Sequence, residues 1–325
     1  MQPRFLEECL AGLCQQRDKR FEVIVVENGC RQPGTPQLVQ DFNVGMNVGY
    51  LFNSEPGANR ARNLGAQVAR LDTLAFLDDD CVASPKWIES ILANESVRRG
   101  VNVGGGPVDL RYLEKPPGWF QGVFRESLSE VKLGPGERLL SGTEYLVSAN
   151  MFVSSETFRR FGGFEGKLGI CGRHGPQLGN DEIEFIRRLA RGGVRPRYFP
   201  RTTVAHIIPP ERMNLGRIST RRYGQGISDV ALMLHERPAT NVMKLYDELR
   251  TAHSNDAWLA RLASETEDLA EDDAARFKRN NRIVRAAYFS GLARGVLEFS
   301  RTAQPGHGFD GWIAGSAFGS KQTVS

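Results

Sequence analysis

The sequence predicts an α/β fold, and observations in its first hundred residues support that prediction. Short β-branched or apolar runs at 21–26, 48–52 and 74–77 have the length and composition of strands. Residues 4–16 and 55–70, which alternate with these runs, have the amphipathic spacing or the Pro-Gly entry of helices. This order is typical of nucleotide-binding sheets, whose ligands bind beyond the carboxyl ends of the strands.

The composition indicates an ordinary globular chain. Of 325 residues, 40% are hydrophobic and 25% are charged, and the net charge of +4 gives only a weak preference for anionic partners. We expect nucleotides, phospholipid surfaces or acidic glycans, and no nucleic acid. Five scattered cysteines without a CxxC pair predict neither disulfides nor a zinc site, which favours the cytoplasm. We expect neither a secretory leader nor a membrane-spanning helix, because no apolar run has the required length.

Three consecutive carboxylates, Asp78, Asp79 and Asp80, directly follow the 74–77 run. Adjacent acids repel one another, and burial would raise their pKa values, so a positive group is expected beside them. A hard divalent cation such as Mg²⁺ or Mn²⁺ binds oxygen ligands and commonly also substrate phosphates. The alternative is a solvated acidic turn that caps the next helix, which is predicted at 85–99. The triplet alone supports both interpretations equally.

Other polar residues also lie at the ends of predicted elements. Glu27 ends the first strand, and Asn59 and Arg62 lie near the start of the 55–70 helix. Backbone N–H groups and the dipole at a helix start add to the attraction of an arginine for anions. The alternative for Arg62 is an ordinary surface arginine. These positions favour a ligand site at one edge of the sheet.

Four segments now carry a family resemblance. In order they are FEVIVVENG, EPGANRARNLGA, FLDDDCVASPKW and SANMFVSSETFRRFGGF. Together they resemble the family 2 glycosyltransferases of GT-A fold, over residues 4 to 226. The resemblance implies a mixed, mainly parallel sheet flanked by helices. Family members usually begin with a strand of the type VSVVIPTYN; here a helix begins almost at Met1, so we expect that strand to be absent from this sequence.

The resemblance also implies which residues bind the nucleotide-sugar donor. Glu27 takes the place of the family's usual Asp, which contacts uridine or ribose. Arg62, with Asn59 beside it, would lie against the nucleotide. Asp78 and Asp79 belong to the same site, with Asp79 as the most structural of the three acids. Asn150, on a strand predicted at 145–153, would line the donor sugar.

The metal site implied by the resemblance centres on the acidic triplet, as a DxD-type motif. Asp80 would be the metal ligand, and Asp78 would bind ribose, a metal-bound water or the Mn²⁺ or Mg²⁺ ion itself. His206, at the end of an apolar strand, completes the metal site in several family members. The alternative for a lone His is a satisfied core residue. Arg212 opens a basic segment that would contact the diphosphate, although a solvated basic helix is the alternative.

A second acid pair, Asp181 and Glu182, begins a helix predicted at 181–191. Acids in a first turn suit the helix dipole, which is the structural interpretation. The functional interpretation is a general base, because an acceptor hydroxyl must lose its proton as it attacks the anomeric carbon. The pair resembles the family's "ED" motif in reversed order, so Glu182 falls where the catalytic Asp normally stands. We rank Glu182 first as the base and Asp181 second.

The C-terminal third is predicted to be helical. We divide the chain into a GT-A domain at 1–226, a helical extension at 227–303 and a flexible tail at 304–325. The extension contains a basic amphipathic stretch that could dock on the rest of the protein or lie on an anionic membrane. The second interpretation predicts peripheral contact with the inner membrane face.

The predicted function is metal-dependent, inverting transfer of a sugar, as in polysaccharide biosynthesis. The donor would be a UDP-, GDP- or dTDP-sugar, and the acceptor a glycan, a lipid-linked molecule or a small molecule. A catalytically inactive nucleotide- or glycan-binding relative is the first alternative. A sugar nucleotidyltransferase is the second, although such enzymes usually carry a Gly-rich phosphate loop near the first strand.

Overall fold

A computed structural model describes residues 3–93, 103–141, 144–166, 168, 178–237, 242–252, 258 and 262–302. The chain divides into two compact units. We call them the sheet unit, with limits Met1–Leu113, Ser129–Gly166 and Asp181–Ile208, and the helical unit, with limits Glu114–Leu128, Lys167–Asn180 and Pro209–Ser325. The predicted tail at 304–325 and the last part of the helix predicted at 85–99 lie outside the described residues.

The helices and strands follow the predicted order in the N-terminal part. The helices are α1 Pro3–Cys14, α2 Thr35–Phe42, α3 Ala58–Val68, α4 Trp87–Leu92, α5 Val123–Glu126, α6 Ser155–Phe161, α7 Asp181–Arg191, α8 Leu215–Glu236, α9 Val242–Ala252 and α10 Glu271–Thr302. The strands are β1 Val23–Asn28, β2 Val48–Asn53, β3 Thr73–Phe76, β4 Cys81–Ala83, β5 Val103–Gly105, β6 Val108–Tyr112, β7 Arg138–Leu139, β8 Met151–Ser154, β9 Arg197–Tyr198 and β10 Val204–Ile208.

The strands form three hydrogen-bonded groups, in the orders β1-β2, β4-β10-β6 and β3-β8-β5-β9-β7. The mixed sheet is confirmed, but its parallel share is smaller than expected. Parallel pairs join β1 to β2, β10 to β6 and β5 to β9, whereas four pairs are antiparallel. Parallel neighbours need a crossover connection, usually a helix. The strand β8 follows a loop and runs against both of its neighbours, β3 and β5.

An aromatic core lies beneath the polar ends of the sheet unit. Four phenylalanine rings pack together with centroids 4.9–5.6 Å apart. They belong to Phe76 on β3, Phe158 on α6, Phe164 in the segment after α6, and Phe185 on α7. Burial of each such ring contributes about 1.5–3 kcal/mol. Because Phe76 lies two residues before Asp78 and Phe185 one turn after Asp181, this core brings the acidic triplet and the acid pair to neighbouring positions.

The helical unit is built around α8 and α10. A Cβ atom on Gly226 would lie 2.2 Å from the carbonyl oxygen of Tyr288, so only glycine permits this close approach of the two helices. Several apolar residues of α10, including Phe277 and Leu292, are buried, whereas four of its basic residues are exposed; these are Arg276, Lys278, Arg279 and Arg282. Helix α8 is continuous across residue 226, and the division of domains there stays a prediction. Within the described part of the chain, no helix combines the length and apolarity that a bilayer crossing requires.

Candidate active site

The acidic triplet forms a tight turn between β3 and β4. The amide of Cys81 donates to the carbonyl oxygen of Asp78 at 3.0 Å, which closes the turn. Asp80 is buried, with 7% of its surface exposed, whereas Asp78 and Asp79 are half-buried. Burial and the charges of Asp80 and Asp78 raise the pKa of Asp79 to about 6. The turn therefore concentrates negative charge in a partly desolvated position.

His206 lies beside Asp80 because β10 runs antiparallel to β4 and pairs His206 with Cys81. The imidazole Nε2 is 3.4 Å from Oδ1 of Asp80, and both side chains are at most 10% exposed. The potential ligand atoms of Asp80, Cys81 and His206 all lie within 4.8 Å of one another. Burial raises the pKa of the Cys81 thiol, so it stays a poor ligand beside the carboxylate and the imidazole. The carboxylate of Asp80 suits a hard ion such as Mn²⁺ or Mg²⁺, and the imidazole of His206 adds a nitrogen donor that transition metals accept.

Arg62 joins the acidic turn to the acid pair. From α3 its NH2 atom donates to Oδ1 of Asp78 at 2.9 Å, and its NH1 atom lies 3.5 Å from Oδ2 of Asp181. NH1 also donates to Oδ1 of Asn59 at 3.1 Å, so Asn59 orients the guanidinium. The Arg62 side chain is 17% exposed. Two acids from distant parts of the sequence, Asp78 and Asp181, thus contact the same arginine side chain.

The acid pair at the start of α7 is asymmetric. Burial and the charge of Glu182 raise the pKa of Asp181 well above its ordinary value, in spite of Arg62. Burial would also raise the pKa of Glu182, but a hydrogen bond from Asp181, the charge of Arg62 and hydrogen bonds from Ser148 outweigh it and lower that pKa. These opposite shifts favour the protonated form of Asp181 and the ionised form of Glu182.

Glu27, at the end of β1, is held by two donors that sequence reasoning missed. The amide of Gln32 donates to Oε1 at 2.7 Å, and the Tyr50 hydroxyl donates to Oε2 at 2.5 Å. Tyr50 lies on β2, where the parallel register sets Val25 opposite Tyr50. The Glu27 residue is only 1% exposed. Each oxygen keeps a second lone pair, so the contact with a nucleotide stays a prediction.

The side chain of Asn150 makes its contacts in the interior. It is fully buried, and its Nδ2 donates to the carbonyl oxygens of Pro107 at 2.8 Å and Thr202 at 2.6 Å. Its Oδ1 accepts from the indole Nε1 of Trp87 at 2.9 Å. These bonds give Asn150 a structural role, and the donor-sugar contact that the resemblance implied stays a prediction.

The remaining predicted residue, Arg212, belongs to the helical unit, where it lies half-buried in a short 3₁₀ helix at Pro210–Met213. Its contact with a diphosphate stays a prediction. Sequence reasoning also missed Ser148, which bonds Glu182 from a 3₁₀ turn at Ser148–Asn150. A serine two residues before Asn150 gives no signal for this contact, because the partners are 34 residues apart.

Comparisons with known proteins show which proteins this chain is similar to. Residues 2–108 match the sequence profile described as Glycosyl transferase family 2. Glycosyltransferase AglE of Haloferax volcanii is 28% identical over 167 residues, which cover 50% of this chain and 52% of that protein. This chain therefore spans about half the length of AglE. The succinoglycan biosynthesis protein ExoM of Rhizobium meliloti is 26% identical over 305 residues, which cover 91% and 89% of the two chains.

One solved structure shares the fold. It is the mannosyltransferase PcManGT of Pyrobaculum calidifontis, in complex with GDP-Man and Mn²⁺. The match has a TM-score of 0.53 and 15% sequence identity, and it covers 92% of this chain and 84% of that chain. At this identity the likeness concerns the fold alone.

Proposed function

Because this chain belongs to glycosyl transferase family 2 and has the GT-A fold, we propose that it transfers a sugar from a nucleotide-sugar donor to an acceptor hydroxyl, with metal dependence and inversion. The observation that carries this proposal is the position of Arg62 between Asp78 and Asp181. In this arrangement the proposed cation site and the proposed base would lie on either side of one positively charged group. Transfer from a nucleoside diphosphate requires these three functions together.

The donor end of the site consists of Asp80, His206 and Asp78. Asp80 and His206 would hold Mn²⁺ or Mg²⁺, which neutralises the charge that develops on the departing diphosphate. Asp78 lies beside that site and would bind the ribose or the same ion. The guanidinium of Arg62 has N–H groups beyond its three bonds and would orient the donor phosphates. Glu27 is proposed to accept a hydrogen bond from the nucleoside.

The acceptor end consists of the acid pair. Glu182, kept ionised by its neighbours, would accept the proton of the acceptor hydroxyl as that oxygen attacks the anomeric carbon. The new glycosidic C–O bond forms while the C–O bond to the diphosphate breaks, and the electron pair leaves with the nucleoside diphosphate. A single displacement of this kind inverts the anomeric centre. Asp181, whose pKa is raised, is second in rank as the base.

The similar proteins support the classes of substrate. The GDP-Man and Mn²⁺ of PcManGT support a nucleotide-sugar donor and a divalent cation, and the name of ExoM supports a polysaccharide product. A lipid-linked acceptor would place the enzyme at the inner membrane face. The exposed basic residues of α10 fit that placement, because each Lys or Arg near an anionic surface contributes about 1 kcal/mol to binding.

The test measures nucleoside diphosphate release from a panel of UDP-, GDP- and dTDP-sugars with Mn²⁺ or Mg²⁺ and glycan or lipid-linked acceptors. We expect acceptor-dependent release from one donor class and an inverted product by NMR. Glu182→Gln should lower the rate about 10²–10⁴-fold with donor binding retained. Glu156→Gln, an exposed acid on α6, is the control and should not change the rate.

Asp80→Asn should raise the Mn²⁺ concentration needed for half-maximal activity. Donor binding without turnover under all conditions would instead indicate a non-catalytic nucleotide-binding relative. Pyrophosphate release from a sugar phosphate and a nucleoside triphosphate would indicate a nucleotidyltransferase.

A further inference from the structure

The buried hydroxyl of Ser148 bonds one oxygen of Glu182. Ser148 is 1% exposed, and its Oγ donates to Oε1 of Glu182 at 2.7 Å. The Ser148 amide donates to the same oxygen at 3.1 Å. Two donors from one residue on one carboxylate oxygen fix both the position and the rotation of the carboxylate. The second oxygen, Oε2, lies outside this contact.

The turn that carries Ser148 is itself held rigidly. The amide of Asn150 donates to the carbonyl oxygen of Val147 at 3.0 Å, which closes the turn. All hydrogen-bonding groups of the Asn150 side chain are used within the interior, where they bond Pro107, Thr202 and Trp87. The following strand, β8, is paired on both sides. Ser148 therefore needs no reorganisation to hold Glu182.

The charged groups around Glu182 come from two elements. Arg62 faces it from α3 and Asp181 precedes it on α7, while Ser148 supplies only neutral donors. A hydrogen bond to the ionised form of a carboxyl favours that form. Arg62 acts on both acids of the pair, so its charge alone does not assign the negative charge to Glu182. The donors that distinguish the two acids are those of Ser148.

We propose that Ser148 is a positioning residue for the transfer reaction: it holds Oε1 of Glu182 and directs Oε2 towards the acceptor hydroxyl. This inference rests on the proposed role of Glu182 as the base. It gives residues 147–150 a role in the reaction that does not depend on a donor-sugar contact of Asn150. Asn150 then serves the reaction indirectly, because it fixes the turn from which Ser148 donates.

The test compares the pH dependence of kcat/KM in the wild type, Ser148→Ala and Ser148→Thr. Activity rises with pH as the base ionises. Loss of the hydroxyl bond should move this rise to higher pH by about one unit, since one such unit corresponds to the strength of a hydrogen bond to a charged group. We expect kcat to fall about 10-fold through lost orientation, with KM for the donor unchanged. Ser148→Thr keeps the hydroxyl and should restore the wild-type profile.

Ser127→Ala is a matched control, because Ser127 is also a buried serine whose hydroxyl donates a hydrogen bond, to the carbonyl oxygen of Val123 at 2.6 Å. It should leave the pH profile unchanged. A Ser148→Ala profile identical to that of the wild type would overturn the inference. So would an equal shift in Ser127→Ala.

A second measurement needs no Ser148 variant. NMR titration of ¹³C-labelled glutamate in the wild type, assigned with Glu182→Gln, should show Glu182 titrating below the ordinary glutamate range. Titration above that range would overturn the inference. The two proposals fail separately: if Glu182→Gln retains full activity, the role of Glu182 as the base is wrong. If it loses activity while Ser148→Ala keeps the wild-type profile, only the role of Ser148 is wrong.

Discussion

Two arginines on α3 allow the electrostatic argument to be tested within one helix. Arg62 bridges Asp78 and Asp181, and Arg60 pairs with Glu55 at 2.8 Å. The side chain of Arg62 is 17% exposed, whereas that of Arg60 is 46% exposed. The perturbation is Arg62→Met, with Arg60→Met as the matched control. Both changes remove a charge and keep an unbranched side chain of helix-forming type.

The expected loss of stability follows from burial. Removing one partner of a fully buried pair costs about 3–5 kcal/mol, because an uncompensated charge stays behind. The side chain of Asp181 is 8% exposed, but its contact is 3.5 Å long and its raised pKa allows it to be neutral. The side chain of Asp78 is 37% exposed, so solvent screens its share. We therefore expect Arg62→Met to cost about 2–3 kcal/mol, near the lower limit for buried pairs.

Arg60→Met should cost less than about 0.5 kcal/mol, because the side chain of Glu55 is 71% exposed and water screens the pair. Urea unfolding monitored by circular dichroism measures both losses. With a typical slope, the Arg62→Met midpoint should fall by about 1 M while the slope stays unchanged. Equal losses in the two variants would refute the reasoning, since burial alone distinguishes the pairs. If Arg62→Met is as stable as the wild type, Asp78 and Asp181 do not depend on the charge of Arg62.

Three further predictions concern stability, each measured by thermal unfolding. Trp87→Phe should cost about 1–2 kcal/mol, because the buried oxygen of Asn150 loses its donor; an unchanged melting temperature would contradict this bond. Gly163 and Gly162 have φ of +72° and +86°, but only at Gly163 would a methyl group clash, 2.7 Å from a side-chain oxygen. Gly163→Ala should therefore cost about 1–3 kcal/mol more than Gly162→Ala, and equal losses would contradict the clash. The pKa of Asp181 is raised in the folded state, so the free energy of unfolding falls as pH rises above 3.8, where the unfolded chain releases this proton. Asp181→Asn should gain stability relative to the wild type as pH rises from about 4, and a constant difference would contradict the shift.

The sequence predicts well those parts of the fold that depend on local pattern. The spacing of Leu6, Leu10 and Leu13 predicts α1, since all three must face the interior, and the structure buries them. The β-branched run before Glu27 predicts β1 for the same kind of reason. General rules of α/β sheets also predict that the strand end at Asp78 lies close to the start of a helix. These inferences need only the periodicity of a single element.

Long-range pairing explains what local sequence patterns did not predict. The resemblance implied that His206 joins Asp80, and the two meet because β10 runs antiparallel to β4, although nothing in either segment alone specifies its partner. Ser148 reaches Glu182 for a similar reason, through a turn whose position depends on Asn150. Asn150 itself illustrates the limit of a motif: a buried amide and a ligand-binding amide have the same letter. Only the packing of its neighbours distinguishes the two roles.

The raised pKa values of Asp79 and Asp181 indicate that these two acids do not serve the stability of the fold. The pKa of Asp79 is raised to about 6, so the folded state takes up a proton that the unfolded chain would release above pH 3.8. Stability is highest below that value and falls until about pH 6, by an amount on the order of 3 kcal/mol. Asp181 acts in the same direction. An amide at either position would avoid this cost, and the two acids are therefore best explained by a role in the reaction. Asp79 lies in the turn of the candidate cation site, where an ionised acid would attract a metal, and Asp181 lies beside the candidate base, where its raised pKa favours the protonated form.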